Sequence, residues 1–121
     1  MIAIVDDDIE IVSALSLWVK MLGLESTLHY SAESLVDWIN NLPSLDHTPF
    51  SAAILDINLP GMNGVELGRQ LRVWFPELVI VMVTALRYDD INSLGKLPTA
   101  AHLLRKPYDL EELEAILLSV A

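Results

Sequence analysis

Five short strand-length runs, at 2–6, 25–29, 52–56, 78–84 and 101–106, alternate with longer stretches whose apolar residues recur at helical spacing. No other feature of the sequence constrains the fold so tightly. Runs of this length suit strands, and the stretches between them are long enough for the helical crossovers that parallel strands require. Three of the runs are almost continuously apolar, as strands buried on both faces of a parallel sheet should be. The second, with Glu25, Ser26, Thr27 and His29, is polar and belongs at an edge. A β-α unit repeated five times predicts a doubly wound α/β sheet with right-handed crossovers, and the common spatial order for five such strands is 2-1-3-4-5.

Punctuation residues mark the helices. Asp8 is placed to cap a first helix through residue 22, with Ile11, Ala14, Leu15, Trp18, Val19 and Leu22 on its apolar face and Gly23 just past its end. Ser31 can cap a second, to about residue 40. A third is expected from 64 or 65 to 75, where Pro76 stops it. The stretch 88–97 contains Gly95 and meets Pro98, so a short or irregular fourth helix is expected there. The last opens with Asp109-Leu110-Glu111-Glu112, the pattern of a capping box, and is expected to run to 120. Between 40 and 50, two prolines and several polar residues predict an exposed loop.

The length of 121 residues predicts one domain, 1–121, able to bury a core without a disulfide or a structural metal. With no cysteine there is no thiolate nucleophile and no cysteine metal site, which suits a reducing compartment. No apolar run approaches the roughly 18 residues of a membrane span. Seven basic residues against seventeen acidic give a net charge of −10, which argues against nucleic acid and anionic lipid as partners.

In a doubly wound sheet the site lies beyond the carboxyl ends of the strands, at the switch between strands 1 and 3. Strand 1 ends in Asp6-Asp7, strand 3 in Asp56, strand 4 in Thr84 and strand 5 in Lys106-Pro107. The fold thus brings three carboxylates, a hydroxyl and an amine to one rim. Carboxylates gathered this closely raise one another's pKa unless a cation intervenes. With no cysteine and three scattered histidines (His29, His47 and His102), that cation should be hard, and an oxygen-only site suits Mg²⁺. Carboxylates, amine and hydroxyl are the parts of a phosphoryl-transfer site, in which one carboxylate can serve as nucleophile.

The order "IVDDD", "LDINLPGMNG", "VTA" and "KP" resembles the receiver domain of bacterial two-component response regulators, over essentially the whole chain. The resemblance implies a flavodoxin-like fold and a phosphorylation-controlled signalling switch rather than an enzyme. By that resemblance Asp56 accepts a phosphoryl group from the phosphohistidine of a sensor histidine kinase or phosphotransfer protein. Asp7 and Asp56 ligate Mg²⁺ (or Mn²⁺), Asp6 assists through water, and the backbone carbonyl of Asn58 is the third protein ligand. Thr84 and Lys106 contact the phosphoryl oxygens, and the Lys106–Pro107 bond is cis. The resemblance also implies a cytoplasmic location, an output domain or partner engaged through the helix 4–strand 5–helix 5 face, and room for a phosphorylation-dependent homodimer. Leu94, Leu97, Leu103, Tyr108 and Leu113 are candidates for apolar contacts on that face. Asp8 matches no family role and is read as a helix cap.

Leu103 stands where the family usually carries an aromatic residue, three positions before the strand-5 lysine, so an aromatic-rotamer switch is not expected. Taken alone, Thr84 and Lys106 are an ordinary strand-end threonine and a solvated lysine; their place at the rim gives them a role. Trp18, Trp38, Trp74 and Phe75 fall at helical apolar positions and read as packing. The rival class is a Mg²⁺-dependent hydrolase with an aspartyl-phosphate intermediate. Such enzymes carry an aspartate as general acid two residues after the nucleophile, where this chain has Asn58.

Overall fold

The computed structural model describes residues 1–119, the Tyr88 side chain excepted. Five strands and five helices alternate: β1 Ile2–Val5, α1 Ile9–Met21, β2 Ser26–His29, α2 Ala32–Asn40, β3 Ala52–Asp56, α3 Gly64–Trp74, β4 Val79–Thr84, α4 Tyr88–Asn92, β5 His102–Arg105 and α5 Leu110–Leu118. All strand pairs are parallel, in the order β2-β1-β3-β4-β5, so the polar β2 is an edge as expected. The fold is therefore the doubly wound, flavodoxin-like α/β sheet.

The two-residue period of the strands divides the core into two layers. Ala3, Val5, Ala53, Leu55, Ile80 and Met82 face α2 and α3, where they meet Leu35, Ile39, Leu67 and Leu71. Ile2, Ile4, Ala52, Ile54, Val81 and Val83 face the other way, onto Val12, Leu15 and Val19 of α1 and Leu113 and Leu117 of α5. Continuous apolar strands are needed because both faces are covered.

Helix ends follow local chemistry, with corrections. Asp8 caps α1 by accepting from Glu10 N and Ile11 N, Ser31 caps α2 through Ser34 N, and Asn63 caps α3 through Glu66 N. The buried stripe of α1 is Val12, Leu15 and Val19, whereas Ala14 is exposed. Trp18 and Ile11 are only half-buried against that layer. The expected stripe was rotated by part of a turn, because both readings fit the same spacing. The capping box at Asp109 does not form: the Glu112 amide goes to the Asp109 backbone carbonyl (3.0 Å), and no side-chain cap bond is made. The expected end of that helix at Val120 lies outside the described residues. Among the described residues, no helix is long and apolar enough to cross a membrane.

Candidate functional site

The rim gathers the expected side chains because the ladders run one residue past the strands. Asp6 N donates to His29 O (3.1 Å), Ile57 N to Val83 O (3.0 Å) and Lys106 N to Thr84 O (2.7 Å). In the two-residue period Asp6 follows Ile2 and Ile4, Asp56 follows Ala52 and Ile54, and Lys106 follows Leu104, all on the α1–α5 side. Their side chains accordingly converge. Lys106 Nζ lies 3.4 Å from Asp6 Oδ2 and 3.5 Å from Asp56 Oδ2. Asp6, Asp7 and Asp56 each place a carboxylate oxygen within 4.8 Å of the others. Asp6 is 4% and Asp56 7% exposed, while Asp7 faces solvent.

Local bonds fix these groups. Asp6 Oδ1 accepts from Asp8 N (2.9 Å), which turns the chain into the Asp8 cap of α1. Asp56 Oδ1 accepts from Asn58 N (3.1 Å). Gly64 allows α3 to begin against the end of β3, since a Cβ there would stand 2.2 Å from Asp56 O. The Lys106–Pro107 peptide is cis.

Thr84 departs from the simple rim reading. It follows Ile80 and Met82 on the α2–α3 side, is fully buried, and its Oγ1 accepts from Leu86 N (2.9 Å). Among the described residues, no hydrogen bond joins its hydroxyl to Asp6, Asp56 or Lys106. Thr84 stands at the end of β4, as the sequence placed it.

Burial, then the neighbouring Asp6 charge, pushes the Asp56 carboxyl above its ordinary value; Lys106 and the Asn58 amide pull the other way and are outweighed. Burial pulls the Lys106 ammonium down, but Asp56 and Asp6 outweigh it and leave it above its ordinary value. Three carboxylates face one lysine in this cluster, which leaves an excess of negative charge. An all-oxygen donor set with that excess fits a hard divalent ion of the Mg²⁺ kind.

Other expectations divide. Asn58 is exposed, and its amide belongs to Asp56. Leu103 is half-buried against the α2–α3 layer, and Tyr108 is half-buried with its hydroxyl pushed to a higher pKa by burial. Leu113 is fully buried core and offers nothing to a partner; Leu94 and Leu97 are half-buried against the α2–α3 layer. His29, His47 and His102 form no metal cluster among the described residues. Sequence reasoning missed Glu33, whose carboxylate accepts from Met62 N (3.2 Å) in the loop after Asp56. No spacing rule could have found a bond across 29 residues.

A doubly wound sheet with an acidic cluster and a lysine at its switch point defines a class of signalling domain. The family model for the response regulator receiver domain matches residues 2–118, and the chain belongs to that family. It is 32% identical over 112 residues to the response regulator protein FleR of Pseudomonas aeruginosa, covering 93% of this chain and 22% of that protein. It is 35% identical over 69 residues to the response regulator receiver protein CpdR of Brucella abortus, covering 57% of this chain and 58% of that one. The chain thus spans less than two thirds of these curated relatives. Among solved structures, a CheY-like receiver domain protein from Methanospirillum hungatei aligns with a TM-score of 0.76 at 27% identity, over 98% of this chain and 93% of that one. A BeF3-activated DrrB receiver domain aligns at 0.73 and 26% identity, over 98% and 94%.

Proposed function

We propose that the chain is a single receiver domain in which Asp56 accepts a phosphoryl group from a phosphohistidine of a sensor kinase or phosphotransfer protein. The observation that carries this reading is the placement of Lys106 Nζ 3.5 Å from Asp56 Oδ2 inside the acid cluster. An Asp56 carboxylate oxygen attacks phosphorus, the P–N bond breaks, and its electron pair returns to the imidazole of the donor. The carboxyl oxygens of Asp6, Asp7 and Asp56 and the backbone carbonyl of Asn58 would hold Mg²⁺. When bound, that ion supplies positive charge to offset the oxygens of the incoming phosphoryl group.

Lys106 offers the phosphoryl oxygens a cation beside Asp56. Thr84 Oγ1 accepts from Leu86 N and keeps its hydroxyl hydrogen to donate to a phosphoryl oxygen, which couples phosphorylation to the segment after β4. The added charge, near −2, then shifts the population of that segment and of the surface beyond it.

The test is incubation with Mg²⁺ and acetyl phosphate, or with beryllium fluoride, and intact-mass detection of one adduct. Asp56→Asn should abolish it. Sustained release of phosphate from many small esters would overturn the reading in favour of the hydrolase. The exposed amide of Asn58 gives no acid for that reaction.

A further inference from the structure

We propose that Glu33, on the first turn of α2, is a positioning residue for the chemistry at Asp56: its carboxylate holds the crown of the β3–α3 loop. The proposal rests on the reading of Asp56 and of the Asn58 carbonyl given above.

The loop from 57 to 63 is anchored at both ends. Ile57 N donates to Val83 O (3.0 Å), Asn58 N to Asp56 Oδ1 (3.1 Å) and Leu59 N to Ile57 O (3.0 Å). At the far end Gly64 N donates to Ile57 O (2.9 Å), and Asn63 caps α3 by accepting from Glu66 N (3.0 Å). The crown between them, Pro60, Gly61 and Met62, has little to hold it. Pro60 has no amide hydrogen, and Gly61 adopts φ +72°, a conformation that leaves the loop free to turn. Among the described residues, the hydrogen bond tying this crown to another segment is the one from Met62 N to Glu33 Oε1 (3.2 Å).

A second observation agrees. A Cβ on Gly61 would stand 3.0 and 3.1 Å from the two carboxylate oxygens of Glu33. Both oxygens therefore lie directly against the loop backbone, and Gly61 is the residue that lets them approach. Glu33 is a firm anchor, because the Ser31 cap fixes its helical turn and Ser34 in the same turn bonds the buried His29 ring (3.1 Å). A charged acceptor on a backbone amide is also stronger than a neutral one. Asn58 lies between this anchor and Asp56. Slack in the crown lets its carbonyl wander, which weakens cation binding before it weakens the fold.

The test is Mg²⁺ titration followed by amide NMR shifts at Asn58 and Gly61, with phosphoryl loading and thermal melting measured alongside. Glu33→Ala should lose about tenfold in Mg²⁺ affinity, the low end for residues that orient metal ligands, and slow phosphoryl loading in step at limiting Mg²⁺, with little change in melting. Glu33→Gln keeps an acceptor oxygen and should recover most of the loss. Unchanged Mg²⁺ affinity in Glu33→Ala overturns the proposal. So does a loss that tracks melting temperature and is not recovered by glutamine. If the wild-type chain binds Mg²⁺ but takes no phosphoryl group, the Asp56 reading fails, and the titration still decides the role of Glu33.

Discussion

From β1 to α3 every helix begins on a side chain that accepts a backbone amide: Asp8, Ser31 and Asn63. From β4 onward neither helix does, since Arg87 before α4 and Asp109 before α5 make no side-chain cap bond. The first three helices have 13, 9 and 11 residues, while α4 has 5 and α5 has 9. Beyond α4 the chain runs irregularly to β5, and Ala100 is held at φ 58°, a left-handed conformation unusual for alanine. The acids thus stand on the more tightly specified part of the molecule, and the looser part joins Thr84 to Lys106. A segment with one short helix and no side-chain caps opens locally at lower cost than a capped core helix. A switch is expected to move where the fold is weakest, and that is the stretch on which the Thr84 hydroxyl is now anchored.

The contrast is broken or sharpened most strongly in the core. Leu67 is fully buried on α3, and Leu67→Ala should cost about 3 kcal/mol in urea unfolding. Leu97, half-buried in the irregular stretch, should cost roughly 1 kcal/mol as Leu97→Ala, from the smaller apolar area it hides. Equal losses would break the comparison. Next comes Arg72, whose guanidinium donates to Thr99 O and Pro76 O (each 3.0 Å) and also to Leu78 O. It clasps the irregular stretch to the start of β4. Arg72→Ala should cost about 1–2 kcal/mol, with faster amide exchange concentrated between 93 and 101. Exchange that rises evenly over the chain would show that this stretch is no weaker than the rest.

Most of the architecture could be read from the sequence because parallel strands buried on two faces must be apolar, and proline, glycine and cap residues mark their connections. The rim was equally readable, since strand ends in such a sheet meet by topology alone. What escaped reading depends on phase and on distance. The rotated stripe of α1 is a question of phase, settled by packing rather than by residue type. Leu113 looked like surface because α5 is apolar at several turns, and only the sheet decides which turn is core. Glu33 touches Met62 through folding that no local pattern encodes.

A pH scan tests the firmness of the first region. His29, at the end of β2, is 3% exposed, with its ring nitrogens bonded to Ser34 Oγ (3.1 Å) and Thr27 Oγ1 (2.9 Å). Burial holds its pKa below the ordinary histidine value of 6.5. Between the two values the unfolded chain takes up more proton than the folded one, so stability is full above about 6.5 and falls as pH drops below it. His29→Asn should flatten that slope. A slope that survives the substitution would assign it to other groups.

The smallest expected difference is also the most direct reading of the caps. Asp8→Ala removes an acceptor from Glu10 N and Ile11 N and should cost about 1 kcal/mol. Asp109→Ala removes no cap bond and should change stability by only a few tenths of a kcal/mol, through the lost charge at the start of α5. The two aspartates have the same chemistry and the same place relative to a helix, so any difference between them reports only whether the bond is made. Should Asp109→Ala cost as much as Asp8→Ala, the second cap forms in solution. The looseness of the later region would then be confined to α4 and the stretch that follows it.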